Sequence, residues 1–311
     1  QGKSVKVVDV TQVYAQYSDN IVDAQAIKDY LTHAINNMGV QMVLLVGGDT
    51  YDYHNYVGSS ISFIPSLYGA TGDLIKFAPL DPSFVDAGGD GVPDVAMGRL
   101  PVRTAAELAN IATKTEDYIA KSDYDSTAVF AADERFTSNS AVLSGLMGDW
   151  SVSTAHIGDV GTTSARNDLI DAINGGVALT SYFGHSSIDK WAHENMFDVD
   201  DAEALANAAK PTVVTQYGCW NTYYVSPSAN ALAHKLLLGA NGAAAVTGAT
   251  TLTSAYSEQK LGDLMLPALA SGTTIGQAMQ ESKATLALTD QERSDVLLGW
   301  TILGVPWLEI E

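Results

Sequence analysis

Short apolar, β-rich runs recur along this chain, and between them lie longer stretches whose apolar residues repeat at helical spacing. That alternation most constrains the fold, because strands separated by helices build βαβ units and a mostly parallel sheet. Strands are expected at 5–10, 41–49, 94–102, 127–132, 176–184, 211–218 and 242–250. Amphipathic helices are expected over 21–39, stopped by Gly39, and over 104–122, where Thr104 and Glu107 form a Ser/Thr-x-x-Glu capping box. Further helices fit near 138–149, 163–173, 199–209, 228–239, 257–270 and 274–287. The polar segment SDYDS (122–126) divides the pattern into an N-terminal α/β subdomain, 1–122, and a C-terminal subdomain, 123–311. Residues 50–73 form a polar, aromatic stretch too long for an ordinary connection, which marks a functional loop.

Charge narrows the function. Against 16 basic side chains stand 36 acidic ones, a formal net charge of −20, and such a surface repels phosphate backbones. Nucleic acid is therefore not an expected partner. No apolar run approaches the roughly 20 residues of a membrane-spanning helix, so no transmembrane segment is expected. No signal-peptide pattern opens the chain at QGKSVKVVDV, and a start on an expected strand suits a piece of a longer precursor with flanking domains. Neither HExxH nor CxxC occurs, which argues against a zinc enzyme. LLVGGD lacks the G-x-G-x-x-G helix entry and no Walker A sequence is present, which disfavours a nucleotide-binding domain.

Two strand ends carry the chemistry. SYFGHSS (181–187) and TQYGCW (215–220) are each an apolar run closed by glycine and then a reactive residue, His185 or Cys219. Cys219 is the only cysteine, so it has no internal disulfide partner. The intervening residues suit one parallel crossover, which would bring both side chains to the carboxyl edge of the sheet, where open α/β sheets place their ligands. There an imidazole can take the proton of a thiol and generate the thiolate that attacks a carbonyl carbon. The residues alone leave two readings of Cys219, a small buried hydrophobe or a nucleophile. Thr215 and Tyr217 read as local packing.

The chain also resembles the gingipain-type cysteine peptidases. The resemblance is carried by VVDVTQVYAQYSDNIVDAQAIKDYLTHAINN, VLLVGGD, DGVPDVAMGRLPVRTAAEL, GHSSIDKW, the CW pair and the closing GWTILGVPWLEI, and it runs over nearly the whole chain. It implies a caspase-like three-layer α/β/α sandwich with a mostly parallel sheet and two fused subdomains. It also implies a secreted or cell-surface bacterial cysteine endopeptidase acting on protein or peptide substrates, cleaving after Arg or Lys through a thioester acyl-enzyme. His185 and Cys219 then form the dyad, Asp94 supports the histidine, and the backbone N–H groups of Cys219 and Ser186 form the oxyanion hole. No cofactor is needed for catalysis. The chain departs from the family at Ser186, where glycine is common, and at GVP (304–306), where GDP is usual. A transpeptidase of the same fold, or a catalytically silent surface or binding module, is the alternative function.

The substrate pocket is expected beside Cys219. Its candidate walls are Tyr256, on a loop resembling the family's pocket loop, and Trp191 and Trp220, close to the dyad in sequence. Glu107 is a candidate acid for a basic substrate residue, with Asp189 and Asp49 as others, although the capping box already explains Glu107. In DAGGDGVPD (86–94), Asp86 and Asp90 are candidate ligands of a structural calcium, since carboxylates on a glycine-rich backbone suit that ion. An acidic turn before a strand explains the same residues without a metal.

Overall fold

The computed structural model describes residues 4–58, 60–121, 124–289 and 294–310. Its centre is one eight-stranded sheet built from β1 (Met42–Val46), β2 (Ala96–Leu100), β3 (Thr127–Ala132), β4 (Ser151–His156), β5 (Leu179–Phe183), β6 (Thr212–Tyr217), β7 (Ala243–Ala249) and β8 (Trp300–Leu303). The strands lie in the order β1-β2-β8-β7-β6-β5-β3-β4. β1 pairs parallel with β2, and the β7-β6-β5-β3-β4 ladder is parallel throughout. β8 runs antiparallel to β7 and meets β2 at one register position, Leu303 with Arg99.

Every residue of β5, β6 and β7 is buried, as parallel strands covered on both faces require. The helices of the chain include α1 (Val10–Tyr17), α2 (Ala24–Met38), α3 (Ala105–Ala120), α4 (Thr137–Ser144), α5 (Thr162–Gly175), α6 (Val199–Ala204), α7 (Leu232–Leu238), α8 (Ala255–Ala270), α9 (Ile275–Thr289) and α10 (Ser294–Gly299). A small apolar cluster joins α1, α2 and β1, and a much larger one runs from Leu100 to Ile310. The sheet spans both halves of the chain, because β8 is inserted between the N-terminal strands and the site-bearing ones. Ser122 and Asp123, the start of the expected hinge, lie outside the described residues.

Most elements fall where the sequence pattern put them. Gly39 caps α2 in the left-handed region at φ 67°, and Thr104 and Glu107 form the full capping box of α3. The expected strand at 5–10 is not one. Val5 and Val7 are exposed, and Asp9 accepts a hydrogen bond from the Thr11 N–H, which starts α1 at Val10 instead. Val10, Val13, Tyr14 and Tyr17 repeat at helical spacing, and Val13 and Tyr14 are buried.

Candidate active site

β5 and β6 are parallel neighbours, with Phe183 opposite Tyr217, so His185 and Cys219 leave adjacent strands two residues later. Several contacts lock the two ends together. Gly184 N–H donates to the Tyr217 carbonyl at 2.9 Å, and Ser186 Oγ donates to the Cys219 carbonyl at 2.7 Å. Asn221 Nδ2 donates to both the Gly218 carbonyl and Ser186 Oγ. The glycines are required by this closeness. A Cβ on Gly218 would run into Ser186 and the Gly184 carbonyl, and one on Gly184 would sit 2.6 Å from the Asp133 Cβ and the Tyr182 hydroxyl.

The acid beside His185 is Asp133, which replaces the expected Asp94. Asp133 Oδ2 lies 2.6 Å from His185 Nδ1 and also accepts the His185 backbone N–H at 3.2 Å. Its other oxygen accepts the Arg135 N–H, and the residue is buried, so the carboxylate is fixed in place. This partnership assigns the proton of Nδ1 to the Asp133 side and leaves Nε2 to do chemistry. Asp94 cannot serve here, because Oδ2 closes its own loop by accepting the Ala87 and Gly88 N–H groups. The sequence shows only that Asp133 directly follows the apolar run of β3; it is the pairing of β3 with β5, Ala132 opposite Phe183, that brings it to His185. The edge of Phe136 and the ring of His193 flank the imidazole, with centroids 5.1 and 4.8 Å away.

Cys219 is a free, half-buried thiol. Its Sγ lies 3.4 Å from the Thr253 N–H, and 3.6 Å from both the Thr253 hydroxyl and carbonyl oxygens. Burial pushes the thiol up, the two Thr253 donors pull it back, and the charges of Glu258 and Asp295 push it up again. The resting form is therefore a thiol that needs a base. Ser186 presents no obstacle to an oxyanion site, since its φ is not in the left-handed region that would demand glycine. Neither its N–H nor that of Cys219 donates to an acceptor among the described residues.

The expected pocket residues are scattered. Trp191 is fully buried, stacked on Tyr182 at 4.6 Å and donating to Gln216 Oε1, so it supports β5 and β6 from within the core and lines no pocket. Trp220 is half-buried beside Cys219, with φ 60° and its ring edge-on to Tyr223. Tyr256 is exposed near the start of α8, beneath the Lys260 ammonium. Glu107 is spent on its capping box and on Arg103, which is 2.9 Å away. Asp49 is buried among Ser62, Ser66 and Tyr68, and Asp189 is an exposed acceptor for Ser187. The residues missed were Asp133, Thr253 and Glu258.

The 86–94 loop does not fit a calcium ion as it is placed. Asp86 accepts N–H groups from Gly89, Asp90 and Gly91, and Asp90 accepts that of Val92, so these carboxylates bind backbone donors rather than facing a common centre. Among the described residues no three His, Cys, Asp or Glu side chains gather as a metal site.

A cysteine, an imidazole and a buried carboxylate thus stand at the ends of three neighbouring strands, β6, β5 and β3. The model of peptidase family C25 matches residues 1–311. The chain belongs to peptidase family C25, the gingipain-type cysteine peptidases. Gingipain R (RgpB), an Arg-specific cysteine proteinase, is 19% identical with a TM-score of 0.75, the match covering 97% of this chain and 75% of that one. A complex of Porphyromonas gingivalis RgpB pro- and mature domains gives 18% identity and a TM-score of 0.74, over 96% and 72%. A third structure, described as a protease, is 14% identical with a TM-score of 0.71, over 93% and 70%. No curated protein sequence matched. At these identities the structural likeness concerns the fold, which is the caspase-like α/β sandwich. Among the described residues of this C25 chain, no helix is long and apolar enough to cross a membrane.

Proposed function

We propose that this chain is a cysteine endopeptidase that cuts protein or peptide substrates through Cys219, His185 and Asp133. The observation that carries this reading is the Asp133–His185 pair, 2.6 Å apart, at the strand end beside the one that delivers Cys219. His185 Nε2 takes the Cys219 proton as the sulfur attacks the scissile carbonyl, and Asp133 holds the ring and its tautomer. The N–H groups of Cys219 and Ser186 receive the developing oxyanion. The imidazolium returns its proton to the leaving amine, a thioester forms, and His185 then activates water to release the second product.

A basic residue before the cleaved bond is proposed from the likeness to gingipain R, an Arg-specific cysteine proteinase. Action outside the cell is proposed from the likeness to gingipains, and so is a longer precursor with flanking domains. The test is turnover of fluorogenic peptides ending in Arg, Lys or Asp, together with labelling by an acyloxymethyl ketone. Cleavage after Arg or Lys that vanishes in Cys219→Ala supports the reading. Labelling that survives in that variant rejects the cysteine mechanism. Amine transfer in place of hydrolysis would make the protein a transpeptidase.

A further inference from the structure

Behind the sulfur sits a buried carboxyl group that the mechanism above does not use. Glu258, in the first turn of α8, is 4% exposed, and among the described residues its carboxyl group has one hydrogen-bond partner, the Thr253 hydroxyl, 2.5 Å from Oε1. The same hydroxyl lies 3.6 Å from Cys219 Sγ. A threonine hydroxyl has one proton, so it cannot donate to the carboxylate and to the sulfur at once. When Glu258 is ionised, the hydroxyl proton points to Glu258, and the sulfur keeps the Thr253 N–H but meets only lone pairs of the hydroxyl. When Glu258 is protonated, its own O–H can donate to Thr253 Oγ1, freeing the threonine proton to turn to the sulfur.

We infer that Glu258 and Thr253 form a hydrogen-bond relay that stabilises the Cys219 thiolate only while Glu258 is neutral. No proton is consumed: the thiol proton still passes to His185, and Glu258 keeps its own. Thr253 touches the reacting atom, whereas Glu258 is a positioning residue acting through it. Burial, reinforced by the nearby Asp295, pushes Glu258 up to about 7, despite the opposing pull of the Thr253 hydrogen bond, so the relay would open near neutrality. The groups facing Glu258 are Asp295 of α10, Cys219 beyond β6, and Tyr182 of β5, which donates to the His185 carbonyl. On α8 itself Lys260 lies near Asp263, Gln259 meets Asn139 of α4, and Lys283 of α9 is held by the Leu297 and Trp300 carbonyls. No cation among these sits on the Glu258 carboxyl group to hold it ionised.

The relay rests on Cys219 as the nucleophile, yet its test does not need a peptide substrate. Alkylation by iodoacetamide reads thiolate at a single cysteine, and is followed by intact mass from pH 5.5 to 9. Glu258→Gln keeps an N–H donor on Thr253 at every pH. Its rate relative to wild type should rise from near one at pH 6 to about tenfold above pH 8, the worth of a hydrogen bond to a charged group. Thr253→Val should remove that pH-dependent ratio, and Thr253→Ser should restore it. A ratio that stays flat across pH overturns the relay, as does a valine variant that keeps it. If Glu258→Gln fails to fold, the wild-type rate relative to Thr253→Val decides the matter: the relay requires it to fall from above one at pH 6 to about one above pH 8, Thr253→Ser to behave as wild type, and a ratio flat across pH overturns it. Peptide turnover with a flat alkylation ratio defeats the relay and spares the peptidase reading, and the reverse result does the opposite.

Discussion

Two buried carboxyl groups flank the dyad, and they are handled differently. Asp133 receives three N–H donors, from Arg135, the His185 backbone and the His185 ring. Glu258 receives one neutral hydroxyl, from Thr253, and has Asp295 as an unfavourable neighbour. Burial alone therefore does not decide what a carboxyl group does; the count and charge of its donors decide it. Asp133 is built to face an imidazolium, and Glu258 to keep its proton up to about neutral pH behind a sulfur.

The largest expected effect removes what both acids serve. Cys219→Ala should lower peptide turnover by at least about 10⁴-fold, measured as kcat, without changing the melting temperature greatly. Turnover within tenfold of wild type would dissolve the whole arrangement.

On the Asp133 side, Asp133→Asn keeps the shape but presents an amide that can hold His185 in the wrong tautomer. A loss of about 10² to 10⁴ in kcat with KM little changed is expected. An equal loss on replacing Asp94 would show that the wrong acid had been assigned to the histidine.

On the Glu258 side, the effect appears in stability. Its folded pKa lies above the ordinary 4.5, at about 7, so the folded protein keeps a proton that the unfolded chain gives up between those values. Stability should then fall as pH rises through that window, by about 3 kcal/mol for a shift of this size. Urea midpoints of Glu258→Gln and wild type should diverge between pH 4.5 and 8, with the variant gaining toward pH 8. Parallel curves would show that Glu258 is not held neutral.

The smallest effect is expected at Ser186→Gly, which removes the hydroxyl bond to the Cys219 carbonyl and keeps the N–H. A change within about fivefold in kcat/KM is expected, since the lost hydroxyl makes only neutral hydrogen bonds, to the Cys219 carbonyl and from Asn221 Nδ2.

The sequence made the site's centre legible, because matched Gly-His and Gly-Cys strand ends announce themselves through strand pattern and one crossover. β3, β5, β6 and β7 were readable for the same reason, as continuous apolar runs. β4 was missed because, as an edge strand, it is largely exposed over SVST and carries no apolar run. Asp133 was missed because its relation to His185 depends on which strand pairs with β5, and that neighbour is distant in the chain. Thr253 and Glu258 were invisible for a related reason: they lie on the β7–α8 connection and the first turn of α8, and only tertiary packing brings them behind the sulfur. The acidic loop carries two readings in sequence, a calcium site and a metal-free turn. Asp86, Asp90 and Asp94 look like ligands in spacing, but a glycine-rich turn supplies its own N–H donors to them.

The insertion of β8 between β2 and β7 has a consequence for vectorial synthesis. β1 and β2 leave the ribosome before the other strands and can pair with each other, and the β7-to-β4 ladder can form behind them. The two halves share no strand until residues 300–303 arrive to bridge them. Such a late, long-range closure is slow, since the chain between must be ordered before the contact rewards it. The nascent chain thus acquires a complete sheet only after both reactive residues have been made, so the strand ends that carry His185 and Cys219 wait for residues 300–303 before the sheet that holds them is closed.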